Sequence, residues 1–352
     1  MSQTPYSFAG ADCFVVEQYN DRAPFASFLP GIAGVSGRPA WVFYVNRGQA
    51  VASFGVRNKD GAFLEFYPAD KAYQLTASRG FRTFLRITDS SGTVTHEPFQ
   101  RGAGNDVRQR LYVTPHEVGV EEIHPGLGLG IRADVFTLPE APLAGLVRRV
   151  QLDNTSSRAV RVEVVDGLPQ VLPYGLNQWV VKFMSRTVEA YMQVEGLEDD
   201  LPFYRLKVWP TDTPQVETIE GGNFFAGFLD GRRTRVLVDA ERVFGPAADF
   251  SRPEGFFSGD ALDFARQVAG NQTPCAFQAL TLALQPGESR VFHGLYGHAP
   301  SRQALEAIVR QAEGEGYFEE RREVNRHLVA AITQRAGHQV RRRPVLQAAR
   351  AD

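Results

Sequence analysis

Two short segments of this 352-residue chain set aromatic rings beside hydrogen-bonding side chains. The first is Trp41-Val42-Phe43-Tyr44-Val45-Asn46-Arg47-Gly48-Gln49. The second, Tyr174-Gly175-Leu176-Asn177-Gln178-Trp179, lies between two prolines and a short predicted helix. A sugar ring presents apolar C–H faces beside hydroxyls, so an aromatic platform next to Asn, Gln or Arg suits it. Trp41, Asn46, Arg47, Gln49, Tyr174, Asn177, Gln178 and Trp179 are therefore the candidates for touching a sugar or shaping a cleft. Trp41 and Phe43 equally suit the core side of a strand.

Other patterns carry less chemistry. Gly126-Leu127-Gly128-Leu129-Gly130 is glycine-rich, but a dinucleotide loop needs its third glycine one residue later and a helix directly behind. Residues 131–136 read instead as a strand. His116 and His124 are eight apart, with Glu117, Glu121 and Glu122 between them, whereas the helical zinc arrangement needs two histidines four apart. No Gly-x-Ser-x-Gly elbow occurs, and Cys13 has no neighbouring histidine or base that would make it a thiolate. These patterns lead to no catalytic residue, metal site or cofactor. The material for acid–base work is limited to His116, His124 and His293 with Glu117 or Glu122.

The elements that must hold these residues are mostly strands. Ala50, Ala52, Phe54 and Val56 alternate, as do Phe81, Thr83, Leu85 and Ile87 with Arg82 and Arg86 turned outward. Val160, Val162 and Val164 form a third stripe, and Leu280, Leu282 and Leu284 a fourth. Asn58-Lys59-Asp60-Gly61, Asp89-Ser90-Ser91-Gly92, Asp230-Gly231 and Pro286-Gly287 supply turn chemistry between them. Residues 147–152 and 160–165, joined by 153–158, read as a hairpin. The expected fold is mainly β, a large antiparallel β-sandwich.

Near Pro300 the period changes. Ser301 suits a helix N-cap, with Leu305, Ile308 and Val309 at helical spacing behind it. A second helix is expected over 317–332, with Val324, Leu328 and Ile332 on one face. The expected division is a sandwich over 1–300, linker helices over 301–333 and a disordered basic tail over 334–352. The apolar stripes of the two helices must either fold back on the sandwich or stay exposed and promote association.

Composition narrows the class. Hydrophobic residues make up 43% and charged residues 22%, as in soluble globular proteins, and 25 phenylalanines against 3 methionines point to an aromatic β core. A net charge of −2 gives no pull toward nucleic acid or anionic membranes. No apolar run is long enough to span a membrane, and residues 1–10 do not resemble a secretory signal, so the expected location is the cytoplasm. Cys13 and Cys275 read as two free buried thiols.

Several strings in order resemble one known family. They are Phe28-Leu29-Pro30-Gly31-Ile32-Ala33-Gly34, the 41–49 segment, Ala52-Ser53-Phe54-Gly55-Val56, Glu65-Phe66-Tyr67-Pro68-Ala69, Lys71-Ala72-Tyr73-Gln74-Leu75, Gly80-Phe81-Arg82-Thr83-Phe84 and residues 166–175. Over about residues 12–332 the chain resembles the N-terminal region of cellobiose-phosphorylase-like enzymes of glycoside hydrolase family 94, closest to the 1,2-β-oligoglucan phosphorylase branch. The resemblance implies a galactose-mutarotase-like super-sandwich, then linker helices, then an (α/α)6 barrel. It implies cleavage of β-glucosidic bonds by inorganic phosphate with inversion, driven by one carboxylic acid in the barrel. The expected partners in the parent enzyme are a β-glucan oligosaccharide, inorganic phosphate and the barrel itself, with a homo-oligomer left open. Because the Arg-rich end departs from the family's continuation, the expectation is a chain cut short or frame-shifted and inactive alone. The alternatives are a stand-alone carbohydrate-binding module and an aldose-epimerase-like sugar isomerase.

Overall fold

The computed structural model describes residues 4–29, 39–210, 214, 219–246, 249–259 and 262–335. Its first part carries β1 (Tyr6–Ala9), β2 (Cys13–Glu17), β3 (Ala26–Leu29), β4 (Ala40–Val45), β5 (Val51–Val56), β6 (Ala62–Leu64) and α1 (Ala69–Arg79). The middle carries β7 (Arg82–Asp89), β8 (Gly92–His96), β9 (Arg108–Val113), β10 (Glu117–His124), β11 (Leu129–Thr137), β12 (Ala144–Asn154), β13 (Val160–Leu168) and α2 (Gln178–Met184). Short strands β14 (Met192–Glu195) and β15 (Phe203–Leu206) precede β16 (Gly222–Leu229), β17 (Arg232–Arg233) and β18 (Arg235–Leu237). Helices α3 (Glu241–Phe244) and α4 (Glu254–Phe257), strands β19 (Ala276–Leu284) and β20 (Ser289–Ala299), then α5 (Arg302–Ala312) and α6 (Tyr317–Arg335) complete the described chain.

These strands form three antiparallel sheets. An eleven-stranded sheet runs β1-β2-β9-β10-β11-β12-β20-β16-β15-β14, with β17 beside β16. A five-stranded sheet runs β18-β19-β13-β7-β8, and a four-stranded sheet β3-β4-β5-β6. One continuous core joins all three, taking Val120, Val150 and Phe292 from the first, Leu85, Val162 and Leu282 from the second and Val42 and Phe54 from the third. The expected sandwich is therefore present. Each fully buried aliphatic side chain contributes about 1.5–3 kcal/mol, so this shared core dominates the stability.

Two expectations about the strands need correction. The segment over 147–165 is not a hairpin. β12 pairs with β11 and β20 in the large sheet, whereas β13 pairs with β7 and β19 in the facing one. The five-residue link, 155–159, is an arch that carries the chain across the core. A second arch joins β19 to β20 and lies on the first. The Asn154 amide donates to the carbonyls of Arg158, Leu284 and Gln285, while the Gly287 N–H donates to the Asn154 carbonyl. Alternation shows which residues face inward but not which strand becomes the neighbour.

Arg82 is the second correction, since it is buried rather than turned to water. Its face of the five-stranded sheet is covered by Val243, Phe244 and Phe256 of α3 and α4. The guanidinium lies over the Phe84 and Phe244 rings and pairs with Glu97 at 2.6 Å. Arg86, two residues on, remains partly exposed and pairs with Glu163.

The C-terminal helices fold back on the outer face of the large sheet. The Ser301 hydroxyl accepts from Ala304 N and caps α5, which buries Leu305, Ile308 and Val309 against Val147, Ala226 and Leu295. Helix α6 docks through Phe318, Arg322, Asn325 and Val329 rather than through the expected stripe, leaving Leu328 half-buried and Ile332 55% exposed. Two of those docking residues are polar, so hydrophobic spacing pointed to the wrong face. Arg322 forks onto Glu117 at 2.7 and 2.9 Å, and Asn325 donates to the His116 carbonyl. Helix α6 extends to Arg335, past the start of the expected tail, and residues 336–352 lie outside the described residues.

Candidate functional site

The two aromatic segments picked out by composition meet at one turn. Residues 58–61 join β5 to β6, and Asn58 holds the turn by accepting from Asp60 N at 2.9 Å. Only glycine fits at 55 and 61, because a Cβ on Gly55 would lie 2.3 Å from the Gly61 carbonyl oxygen. On one side Trp41 of β4 donates its indole N–H to the Asn58 carbonyl at 3.2 Å and meets the Phe66 ring edge-on. On the other side the first N–H of α2, from Gln178, donates to Asp60 Oδ1 at 2.9 Å.

Helix α2 is fixed from within. Asn177 is its N-cap and accepts from Val180 N at 2.8 Å. Val180 packs with Leu176, Val188, Met192 and Leu206 in a small core of its own. That anchoring turns Trp179 and Phe183, four residues apart, toward solvent at 61% and 72% exposure. Their rings sit 4.8 Å apart at an interplanar angle of 31°, forming a continuous aromatic platform. Just upstream, the Tyr174 ring packs on His298 at 4.1 Å, while its backbone bonds Tyr204 and Leu206.

The remaining candidates serve the interior. Asn46 is buried, donating to the carbonyls of Tyr19 and Ala23 and accepting from Phe25 N. Arg47 donates to the carbonyls of Tyr19, Arg22 and Asn46. Gln49 belongs to a fully buried cluster in which Arg148 of β12 pairs with Asp166 of β13 at 2.8 Å. Thr83 of β7 donates to the same carboxylate at 2.7 Å, and Arg148 also donates to Gln49 and Thr83. The structure thus brings Trp41, Asn177, Gln178 and Trp179 to one rim, with Tyr174 beside it, and uses Asn46, Arg47 and Gln49 to tie loops and sheets together.

Chemically, the rim offers aromatic faces beside hydrogen-bonding groups, with no poised acid among the described residues. The Gln178 N–H, and after it Lys59, hold the Asp60 carboxyl below its ordinary value, so it acts as an acceptor. The acid–base material is occupied elsewhere. Glu117 is forked by Arg322, and Glu122 is buried, accepting from Phe99 N and Gln109 with His96 Nε2 at 2.7 Å. His124 Nδ1 accepts from Leu127 N, capping a short turn, and His116 sits beside Thr114. His293 stacks on Phe318, and burial pushes its imidazole below the usual value.

Sequence reasoning missed Phe183, His298 and Asp60. Phe183 carried a signal, since it lies one helical turn beyond Trp179. Asp60 was visible only as a turn residue, and His298 is more than a hundred residues from Tyr174.

No family model matches the chain, and no curated protein matches it. Among solved structures it is similar to a polysaccharide lyase, with a TM-score of 0.45 and 10% identity over 78% of this chain and 34% of that one. It is also similar to a bacterial glucoamylase crystallised with acarbose, at 0.45 and 6% over 90% of this chain and 39% of that one. A protein from the human microbiome described as a kojibiose phosphorylase gives 0.34 and 7% over 91% of this chain and 32% of that one. The chain therefore spans 32–39% of the length of these three. At such identities and scores the similarity says nothing of activity.

Proposed function

We propose that this chain is the N-terminal, non-catalytic β-sandwich portion of an inverting β-glucoside phosphorylase, with glucan contact through the Trp179–Phe183 platform. The supporting observation is one of order. The region of about residues 12–332 that resembles family 94 phosphorylases folds, in its described residues, as a three-sheet sandwich followed by two helices, the succession which that resemblance implies; residues 30–34 of the first string lie outside the described residues. In this reading an (α/α)6 barrel supplies the acid that protonates the leaving oxygen, and phosphate is the nucleophile. The sandwich packs against that barrel and shapes the approach of the oligosaccharide.

A carbohydrate-binding module standing alone draws support from the same exposed rings. An aldose epimerase needs a free acid and a free base on either side of a sugar ring. The engagement of Glu117, Glu122 and His293 counts against it.

The purified chain, incubated with inorganic phosphate and β-1,2-, β-1,3- or β-1,4-linked glucan oligosaccharides, is expected to form no glucose 1-phosphate. Formation of that product would overturn the non-catalytic assignment. Calorimetric titration with the same oligosaccharides should weaken on Trp179→Ala, and identical heats for the variant would remove the platform from the proposal.

A further inference from the structure

We infer that a groove of about 510 Å³ on the outer face of the large sheet, beside α6, binds a neutral polyhydroxylated ligand such as an oligosaccharide. It is separate from the Trp179 rim and lies across β10, β11 and β12, where period-two alternation sends polar side chains outward. Its volume falls within the roughly 300–1,000 Å³ of small-molecule sites.

The formal charges on the groove walls cancel, which favours a neutral occupant. Arg132, Arg149 and Arg322 are balanced by Glu121, Asp134 and Asp153 on the same walls. What remains is a dense mixture of donors and acceptors, which matches hydroxyl groups that both give and take hydrogen bonds. The groups are already ordered. Gln151 accepts from Arg149 at 3.1 Å and donates to Asp153 at 2.8 Å. Arg132 bonds Asp134 through Nε and lies 4.3 Å from the Tyr112 ring centroid, while its two terminal nitrogens bond no acceptor among the described residues.

Docking of α6 does not account for this order. Arg149 and Arg322 hold the helix, but Arg132, Gln151 and Asp153 make no hydrogen bond or ion pair to it. The groove is also kept open by a missing side chain. A Cβ on Gly130 would sit at ordinary contact distance, 3.4 Å from Asp153 Oδ2, so a larger side chain there would fill the space without straining the backbone.

The choice of glucans as first probes rests on the phosphorylase reading, whereas the ligand class does not. The whole chain would be titrated calorimetrically with pentasaccharides of β-1,2-, β-1,3- and β-1,4-linked glucose, and with xylopentaose and mannopentaose. One binding event should weaken at least about tenfold in Gly130→Leu and measurably in Gln151→Ala and Arg132→Ala, while surviving Trp179→Ala. Circular dichroism establishes that each variant folds; if Gly130→Leu does not, the other two decide. Binding of only the xylan or mannan probe at the groove would support the inference and count against the glucan assignment above. Silence from all five sugars at millimolar concentration, or binding indifferent to every groove variant, would overturn it.

Discussion

Arg148 and Asp166 meet with no exposed side-chain surface on either partner. Burying two charges costs several kcal/mol per ion, and the attraction offsets this only where the other donors and acceptors are satisfied. Here Thr83 and Gln49 supply most of those bonds and Phe81 lies against the guanidinium, while Arg148 Nη1 is buried without a hydrogen-bond partner among the described residues. Removing one partner leaves the other charged and unsolvated. Arg148→Met should therefore lose about 3–5 kcal/mol in urea unfolding, whereas the paired change Arg148→Met with Asp166→Leu should lose less. A smaller loss for the single change than for the pair would show that the pair is not the tie described.

At the scale of elements, the attachment of α6 should respond to acid. His293 and Arg149 beside Glu319 hold its carboxyl down to about 2, against an ordinary 4.5. Its stabilisation is present above about 4.5 and drains away as pH falls toward about 2. Burial lowers His293 from 6.5, so its contribution is complete above 6.5 and declines below that value. The two losses run in the same direction, and nearly half the Glu319 side chain is exposed, which softens its share. The protection factors of α6 amides, with intrinsic exchange rates divided out, should fall as pH drops below 6.5, before the sandwich core opens. Equal protection of α6 and β12 across that range would contradict this.

The same elements mark what could be read in advance. Val160, Val162 and Val164 are buried as their alternation required, and the Ser301 cap and the Leu305 stripe of α5 stand where local chemistry put them. Asn177 opening a short helix was equally legible. What escaped was any feature set by a distant partner. The arch after β12 depends on β20, and the burial of Arg82 depends on Val243, Phe244 and Phe256. The docking face of α6 depends on Glu117 and His116, whose attraction for Arg322 and Asn325 has no period. Asn46 and Gln49 look like surface ligands for a sugar until the loops that consume their amides are in place.

For the whole molecule, the buried cluster draws on all three sheets, with Gln49 preceding β5, Thr83 on β7, Arg148 on β12 and Asp166 on β13. A sandwich so tied should lose its sheets together. Indole fluorescence and far-ultraviolet circular dichroism should report one midpoint in denaturant, apart from the local loosening of α6. Separate midpoints would mean that the four-stranded sheet unfolds independently.

The stacked arches also bear on how quickly this chain can reach its native state. Asn154 closes on Leu284, 130 residues away, and the pairing of β12 with β20 spans a comparable loop. Such contacts reward the chain only after a long stretch has been brought together, so β12 can pair early with β11 on one side but has no local partner for its other edge. Until β20 arrives, β12 presents an unpaired edge with Leu146, Val147 and Val150 uncovered, which is where association between unfinished chains would begin.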